Sequence, residues 1–223
     1  MSFKIPEANI LYIHIPKCAG NTMRKWFQRN FKVDPAIPNI RTTTNNYHST
    51  INDAKDHLGT LDDLRLVTTV RNPWKRMFSW YCHLMRNTKE ALNMKGPHGN
   101  INLNPDRDVL LAELKDMSRG FNYWLESYHD KPWHGTWFKP SHPQTHWIGN
   151  FTFDYVINME LPMEPQLLEL SEKLGIPKVN GRILIRNANP DQSQDHKEHY
   201  NDDTKRLVER LHQTDIERFN FCF

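Results

Sequence analysis

Two short segments carry residue types that could hold a small, doubly anionic molecule. The first, Pro16-Lys17-Cys18-Ala19-Gly20-Asn21-Thr22, offers a tight turn of small residues, one ammonium and one hydroxyl. The second, Arg71-Asn72-Pro73 with Ser79 two turns further on, offers a guanidinium and another hydroxyl. Each follows an apolar, β-rich run and opens an amphipathic stretch. A loop leaving a parallel strand and opening a helix turns backbone N–H groups to the sheet's carboxyl edge, where the helix dipole favours phosphate. Two such loops, each with a basic residue at the turn, can grip two phosphates of one ligand. His48 offers a proton acceptor, because an imidazole titrates near neutral pH. His142 and His146 are the next candidates, whereas His14 reads as a strand residue.

The elements that must position these residues follow from hydrophobic periodicity. Ile10 to Ile15 is a compact strand run ended by Pro16, and the spacing predicts a helix from about Thr22 to Phe31 with Met23, Trp26, Phe27 and Phe31 on one face. Leu64 to Val70 is a second strand. Asn72 as N-cap and Pro73 at the first helical position then open a helix to about Met85, with Trp74, Met77, Phe78, Tyr81 and Leu84 as its apolar stripe. A short helix is expected from about Thr50. The composition from Asn87 to Asn104 is loop chemistry, and short helices follow near Val109–Met117 and Phe121–Tyr128. Phe153 to Met159 reads as a third strand, Gln166 to Leu174 as a helix stopped before Gly175, Arg182 to Asn189 as irregular or edge-like, and Thr204 to Phe219 as a final helix with Leu207, Val208, Leu211 and Phe219 inward. Strands alternating with helices predict an α/β fold. The expected form is one three-layer P-loop-like domain over 1–223, with a central parallel sheet of four to five strands.

Composition bounds the function. The 223 residues carry 38% hydrophobic and 25% charged positions, as in a globular chain, and a net charge of +3. That charge is too small for bulk nucleic-acid binding, so no nucleic-acid partner is expected. Its distribution is local: six Lys/Arg and no acid lie between Arg65 and Lys89, and six against Asp34 alone between Lys17 and Arg41. Such zones suit a small anion, although basic solvated helix faces would look the same. Cys18, Cys82 and Cys222 are odd in number and far apart, so no disulfide framework is implied. No segment approaches the roughly 20 apolar residues of a spanning helix, nor does the start read as a secretory signal. No membrane partner and a cytoplasmic location are therefore expected. The first loop is not a Walker A sequence, because Lys17 precedes Gly20, and Asp154 sits near the start of its strand instead of at the end, where a magnesium ligand would be. Both features weaken a nucleotide kinase reading.

The run His14-Ile-Pro-Lys-Cys-Ala-Gly-Asn-Thr22 resembles the 5′-phosphosulfate loop of sulfotransferases that use 3′-phosphoadenosine 5′-phosphosulfate (PAPS), in particular the Golgi-type carbohydrate branch and its bacterial relatives. Val70-Arg-Asn-Pro-Trp-Lys-Arg-Met-Phe-Ser79 is similar to that family's 3′-phosphate motif. Pro143-Gln144 before Trp147, the run Phe153-Asp154-Tyr-Val-Ile-Asn-Met-Glu160, Leu174-Gly175 and Tyr200…Asp215…Phe219 follow in the same order. The resemblance implies a PAPS-dependent O-sulfotransferase whose co-substrate becomes adenosine 3′,5′-bisphosphate, which needs no metal and acts on a carbohydrate hydroxyl. It implies that Lys17, Cys18, Ala19, Gly20, Asn21 and Thr22 hold the 5′-phosphosulfate, and that Arg71 and Ser79 hold the 3′-phosphate. Lys17 would stabilise the leaving oxygen. His48, in a His-Ser-Thr50 segment similar to one beside the sulfate in bacterial members, would be the base. The segment 87–147 would be an insertion shaping the acceptor site. Cys18-Ala19 and Asn21 depart from the Thr-Gly and Thr common in relatives.

Blander readings remain beside these. His48 could cap a helix, and Cys18 could be either a small filler or an oxidisable thiol. His129, His134, His142 and His146 lie close together, but without Cys partners they fit no compact ligand pattern, so no metal site is expected. Trp133, Trp137, Phe138 and Trp147 could line an acceptor cleft or be core. Arg182 and Arg186 could close over a nucleotide or lie exposed. The alternatives to a sulfotransferase are a P-loop-like nucleotide kinase and a catalytically silent nucleotide- or carbohydrate-binding protein.

Overall fold

The computed structural model describes residues 2–31, 48–93, 107–131, 139–175 and 195–223. The chain forms two compact units, Met1–Asn72 with Gln144–Ala188 and Pro73–Pro143 with Asn189–Phe223. Among the described residues, no helix is long and apolar enough to cross a membrane.

The first unit is a mixed α/β structure around a four-stranded, mostly parallel sheet. Strand β1 (Phe3–Ile5) pairs antiparallel with β2 (Ile10–Ile13). β2 runs parallel to β3 (Arg65–Val70), and β3 parallel to β4 (Tyr155–Asn158). The three parallel strands are the three apolar runs of the sequence, with β2 shorter at its end, β3 at its start and β4 at both. β1 was not foreseen, because three residues are too few to show a period. The turn Pro6–Ala8, closed by Asn9 in left-handed backbone (φ 51°), joins β1 to β2 over so short a span that only antiparallel pairing is open to it.

Register puts Phe3, Ile5, Ile10, Tyr12, Val67, Tyr155 and Ile157 on one face. Against them pack Met23, Trp26 and Phe27 of α1 (Gly20–Asn30) and Leu167 and Leu170 of α7 (Met163–Leu174). The stripe read in the sequence for α1 is therefore the buried one, with Phe31 partly covered at its end. The opposite face, with Leu11, Ile13, Leu66, Thr68 and Val70, is buried as well, as a sheet covered on both sides requires. Polar groups inside this core are matched: Tyr12 Oη lies 2.9 Å from Thr69 Oγ1, and Thr68 Oγ1 donates to Ile13 O at 2.9 Å. Asp154 accepts the Leu66 amide N–H at 2.7 Å, so this carboxylate ties β4 to the start of β3. The unit also contains α2 (Ile51–Leu58) and the single turn α6 (Thr145–Ile148), which pack together.

The second unit is helical. Its long α3 (Pro73–Asn93) is packed by α4 (Arg107–Met117), α5 (Phe121–Tyr128) and α8 (Asp202–Leu211), and α9 (Gln213–Phe219) follows α8. α3 runs eight residues past Met85 because Lys89, Glu90, Ala91 and Leu92 are good helix formers. The expected single final helix breaks at His212 (φ −117°, ψ 23°), which ends α8 and precedes α9. His212 and Asp215 are both fully buried, with His212 Nδ1 3.4 Å from Asp215 Oδ2. The buried line of these two helices is Thr204, Val208, His212 and Asp215, whereas Leu207, Leu211 and Phe219 are only half-buried.

Candidate active site

β2 ends at Ile13, and the Cys18 N–H turns back to donate to Ile15 O at 3.2 Å. Lys17 (φ 68°) and Ala19 (φ 54°) both adopt left-handed backbone. For residues with a Cβ this conformation costs on the order of 1–3 kcal/mol each and is concentrated where a loop is shaped for a task. Ala19 is the N-cap of α1, yet it has no side-chain oxygen for the first-turn amides, and no acid lies in that turn. The N–H groups of Gly20, Asn21 and Thr22 thus open a helix whose N-terminus suits an anion. Gly20 is dictated by a neighbour: a Cβ there would lie 2.0 Å from the ring atoms of His14.

The second loop, after β3, is clamped from two sides. Gln144, fully buried, accepts the Arg71 N–H at 2.8 Å through Oε1 and donates Nε2–H to Arg71 O at 2.8 Å. Glu160 Oε1 accepts the Asn72 N–H at 3.0 Å. Both first amides of this loop therefore have protein partners, which corrects the expectation that it would present free backbone N–H groups. What it presents is the Arg71 side chain, whose Nη1 donates to Lys17 O at 3.3 Å. Parallel pairing of β2 with β3 makes the two loops neighbours, and this contact joins them.

His48 is half-buried, its ring centroid 4.6 Å from that of His14. It does not cap the helix: Thr50 does, accepting the Asp53 N–H at 3.1 Å while Asp53 Oδ2 accepts the Thr50 N–H at 2.8 Å. Buried Ser2 joins this segment to the strand end, donating Oγ–H to Ser49 O and accepting the His14 N–H, each at 3.0 Å. His14 therefore lies beyond the strand, between Gly20 and His48, and not inside it as its apolar neighbours suggested. The arrangement brings the Arg71 guanidinium and the His14–His48 ring pair around the strand-to-helix turn that carries Lys17.

A model of the sulfotransferase family matches residues 3–222. The chain belongs to the sulfotransferase family. No match was found among curated proteins or among solved structures. The matched range runs through both compact units of this sulfotransferase, a transferase enzyme.

Of the residues singled out in the sequence, Lys17, Cys18 and Ala19 lie in the turn between β2 and α1, Gly20, Asn21 and Thr22 open α1, and Arg71 reaches the turn. Ser79 is buried on α3, in the other unit. Cys18 is buried, and its thiol donates to Gln144 Oε1 at 3.2 Å. His146 is exposed on α6, and His142 in the helical unit accepts the Lys139 N–H through Nδ1 at 3.3 Å. Trp147 is fully buried, which assigns it to the core. Among the described residues no His, Cys, Asp and Glu group could hold a metal ion. His134, Trp133, Trp137, Phe138, Arg182 and Arg186 lie outside the described residues. Sequence reasoning gave Gln144 and Ser2 no role, since their partners are remote in the chain, and only its side-chain contacts disclose each.

Proposed function

We propose that this sulfotransferase moves the sulfuryl group of PAPS to an acceptor hydroxyl, on a carbohydrate, and releases adenosine 3′,5′-bisphosphate. The observation that carries the reading is the Arg71 Nη1 contact with Lys17 O, which makes two cationic strand-to-helix loops adjacent at one sheet edge. A ligand with separate 5′- and 3′-anionic groups matches that pair better than one with a single phosphate chain. The first loop, from Lys17 through Cys18, Ala19, Gly20 and Asn21 to Thr22, takes the 5′-phosphosulfate, and Arg71 takes the 3′-phosphate, with Ser79 assigned to the same phosphate by the family resemblance alone. Lys17 stabilises charge on the 5′-phosphate oxygen as its bond to sulfur breaks. His48 accepts the acceptor proton as the new S–O bond forms. Lys17 and Arg71 supply the positive charge, so no metal is assigned a role. The carbohydrate acceptor, and 87–147 as the region that shapes its site in a single domain, rest on the resemblance to the carbohydrate branch.

The test is thermal unfolding with adenosine 3′,5′-bisphosphate, compared with ADP and with ATP–Mg²⁺. At 100 times its dissociation constant a ligand adds about 2.7 kcal/mol, a shift of roughly 5–10 °C for a chain of this size. The bisphosphate is expected to give that shift and the others little. A shift with ATP–Mg²⁺ alone would replace this reading with a nucleotide kinase.

A further inference from the structure

Gln144 is a fully buried amide with hydrogen bonds to both anion loops. Its Oε1 accepts from the Arg71 N–H at 2.8 Å and from the Cys18 thiol at 3.2 Å, and its Nε2 donates to Arg71 O at 2.8 Å. Cys18 is 126 residues away in the chain and Arg71 is 73. The orientation of the amide is unambiguous, because the reversed group would set NH₂ against the Arg71 N–H and an oxygen against a carbonyl. Arg71 is gripped on both its N–H and its C=O, as a neighbouring strand would grip it. Arg71 in turn reaches Lys17 O with its guanidinium, which closes a circuit from the first loop through the second and back. The amide is carried by the residue just before α6, whose Trp147 and Ile148 are both fully buried, so its backbone is anchored in the unit's interior.

We propose that Gln144 is a positioning residue that locks the two loops into one arrangement, so that two anionic groups of a ligand are bound as a unit. Either loop can move separately only by breaking a hydrogen bond in a water-poor interior, where an orphaned amide partner is costly. Holding both loops in the binding geometry beforehand removes an ordering cost that the ligand would otherwise meet. The part of this proposal that concerns the ligand rests on the nucleotide reading above, and the lock itself does not.

The experiment compares the full chain with its Gln144→Met variant, similar in length and unable to make these bonds. Amide hydrogen exchange without ligand is measured in segments 16–22 and 70–72, and affinity is measured for adenosine 3′,5′-bisphosphate and for adenosine 5′-monophosphate. In the variant, exchange is expected to rise in both segments together. The affinity advantage of the bisphosphate over the monophosphate should fall by roughly tenfold, which a loss of global stability alone would not produce. Faster exchange confined to 70–72, or an unchanged affinity ratio, would overturn the proposal. If the unaltered protein binds no bisphosphate but both segments loosen together in the variant, the nucleotide reading falls and the lock stands. Should Gln144→Met fail to fold, Cys18→Val and Cys18→Ser isolate the thiol arm. Val should loosen both segments while Ser, which keeps a donor, should not, and identical behaviour of the two would overturn the lock.

Discussion

A Cβ at Gly20 would meet the His14 ring at 2.0 Å, and that ring lies against His48, so the first loop and the proposed base share one packed contact. Lys17 contributes from the same turn, in a backbone conformation that directs its carbonyl to Arg71. Replacing Lys17 by Ala removes the charge proposed for the leaving oxygen. Turnover should drop by about 10²–10³ with the fold intact by circular dichroism, and near-normal turnover would remove the assigned role. For His48→Ala, general-base loss predicts a fall of about 10²–10⁴ in turnover with little change in bisphosphate affinity. A pH–rate profile identical to that of the unaltered protein would rule His48 out as the base.

At the scale of elements, α2 sets the place of His48, because the Thr50–Asp53 capping box fixes where that helix begins. Thr50 Oγ1 accepts the Asp53 N–H and also donates to Asp53 Oδ2 at 2.9 Å. Thr50→Ala should cost about 1 kcal/mol, or about 2–4 °C in melting temperature. It should also lower turnover while leaving nucleotide affinity in place, since the first loop is built from β2 and α1. Equal loss of affinity and turnover would show that the cap serves the fold alone. β1 contributes in the same indirect way: Ser2, at its edge, bridges His14 and Ser49.

For the whole molecule, the pH dependence of stability has an identifiable source in the helical unit. Burial pushes the His212 imidazole below its ordinary value of 6.5; Asp215 opposes this, and Arg76 and His129 push it down further. The folded state therefore keeps this ring neutral while the unfolded chain protonates near 6.5. The unfolded state then binds more protons, so stability is full above that pH and declines as pH falls below it toward the folded value. Melting temperature should decrease on acidification from pH 7 to 5, and His212→Asn should flatten that part of the curve. An unchanged slope in the variant would mean that other groups carry it.

Strand runs, helix stripes and the two basic loops were legible in the amino-acid order because each depends on neighbours within a few positions: apolar spacing for β2, β3, β4 and α1, and Pro and small residues for the turns. The sequence alone thereby determined a mixed α/β chain with two basic strand-to-helix loops, and the order of its motifs pointed to the family that the match over 3–222 establishes. Pairings between distant positions were decided only in three dimensions. Gln144 joins Cys18 to Arg71, Ser2 joins His14 to Ser49, and Glu160 accepts the Asn72 amide. The complete burial of the polar side chains of Arg76, His212 and Asp215 was likewise decided only by how the elements pack. A side-chain hydrogen bond leaves no periodic trace in the chain, because its partners are set by how the elements pack and not by their spacing in sequence.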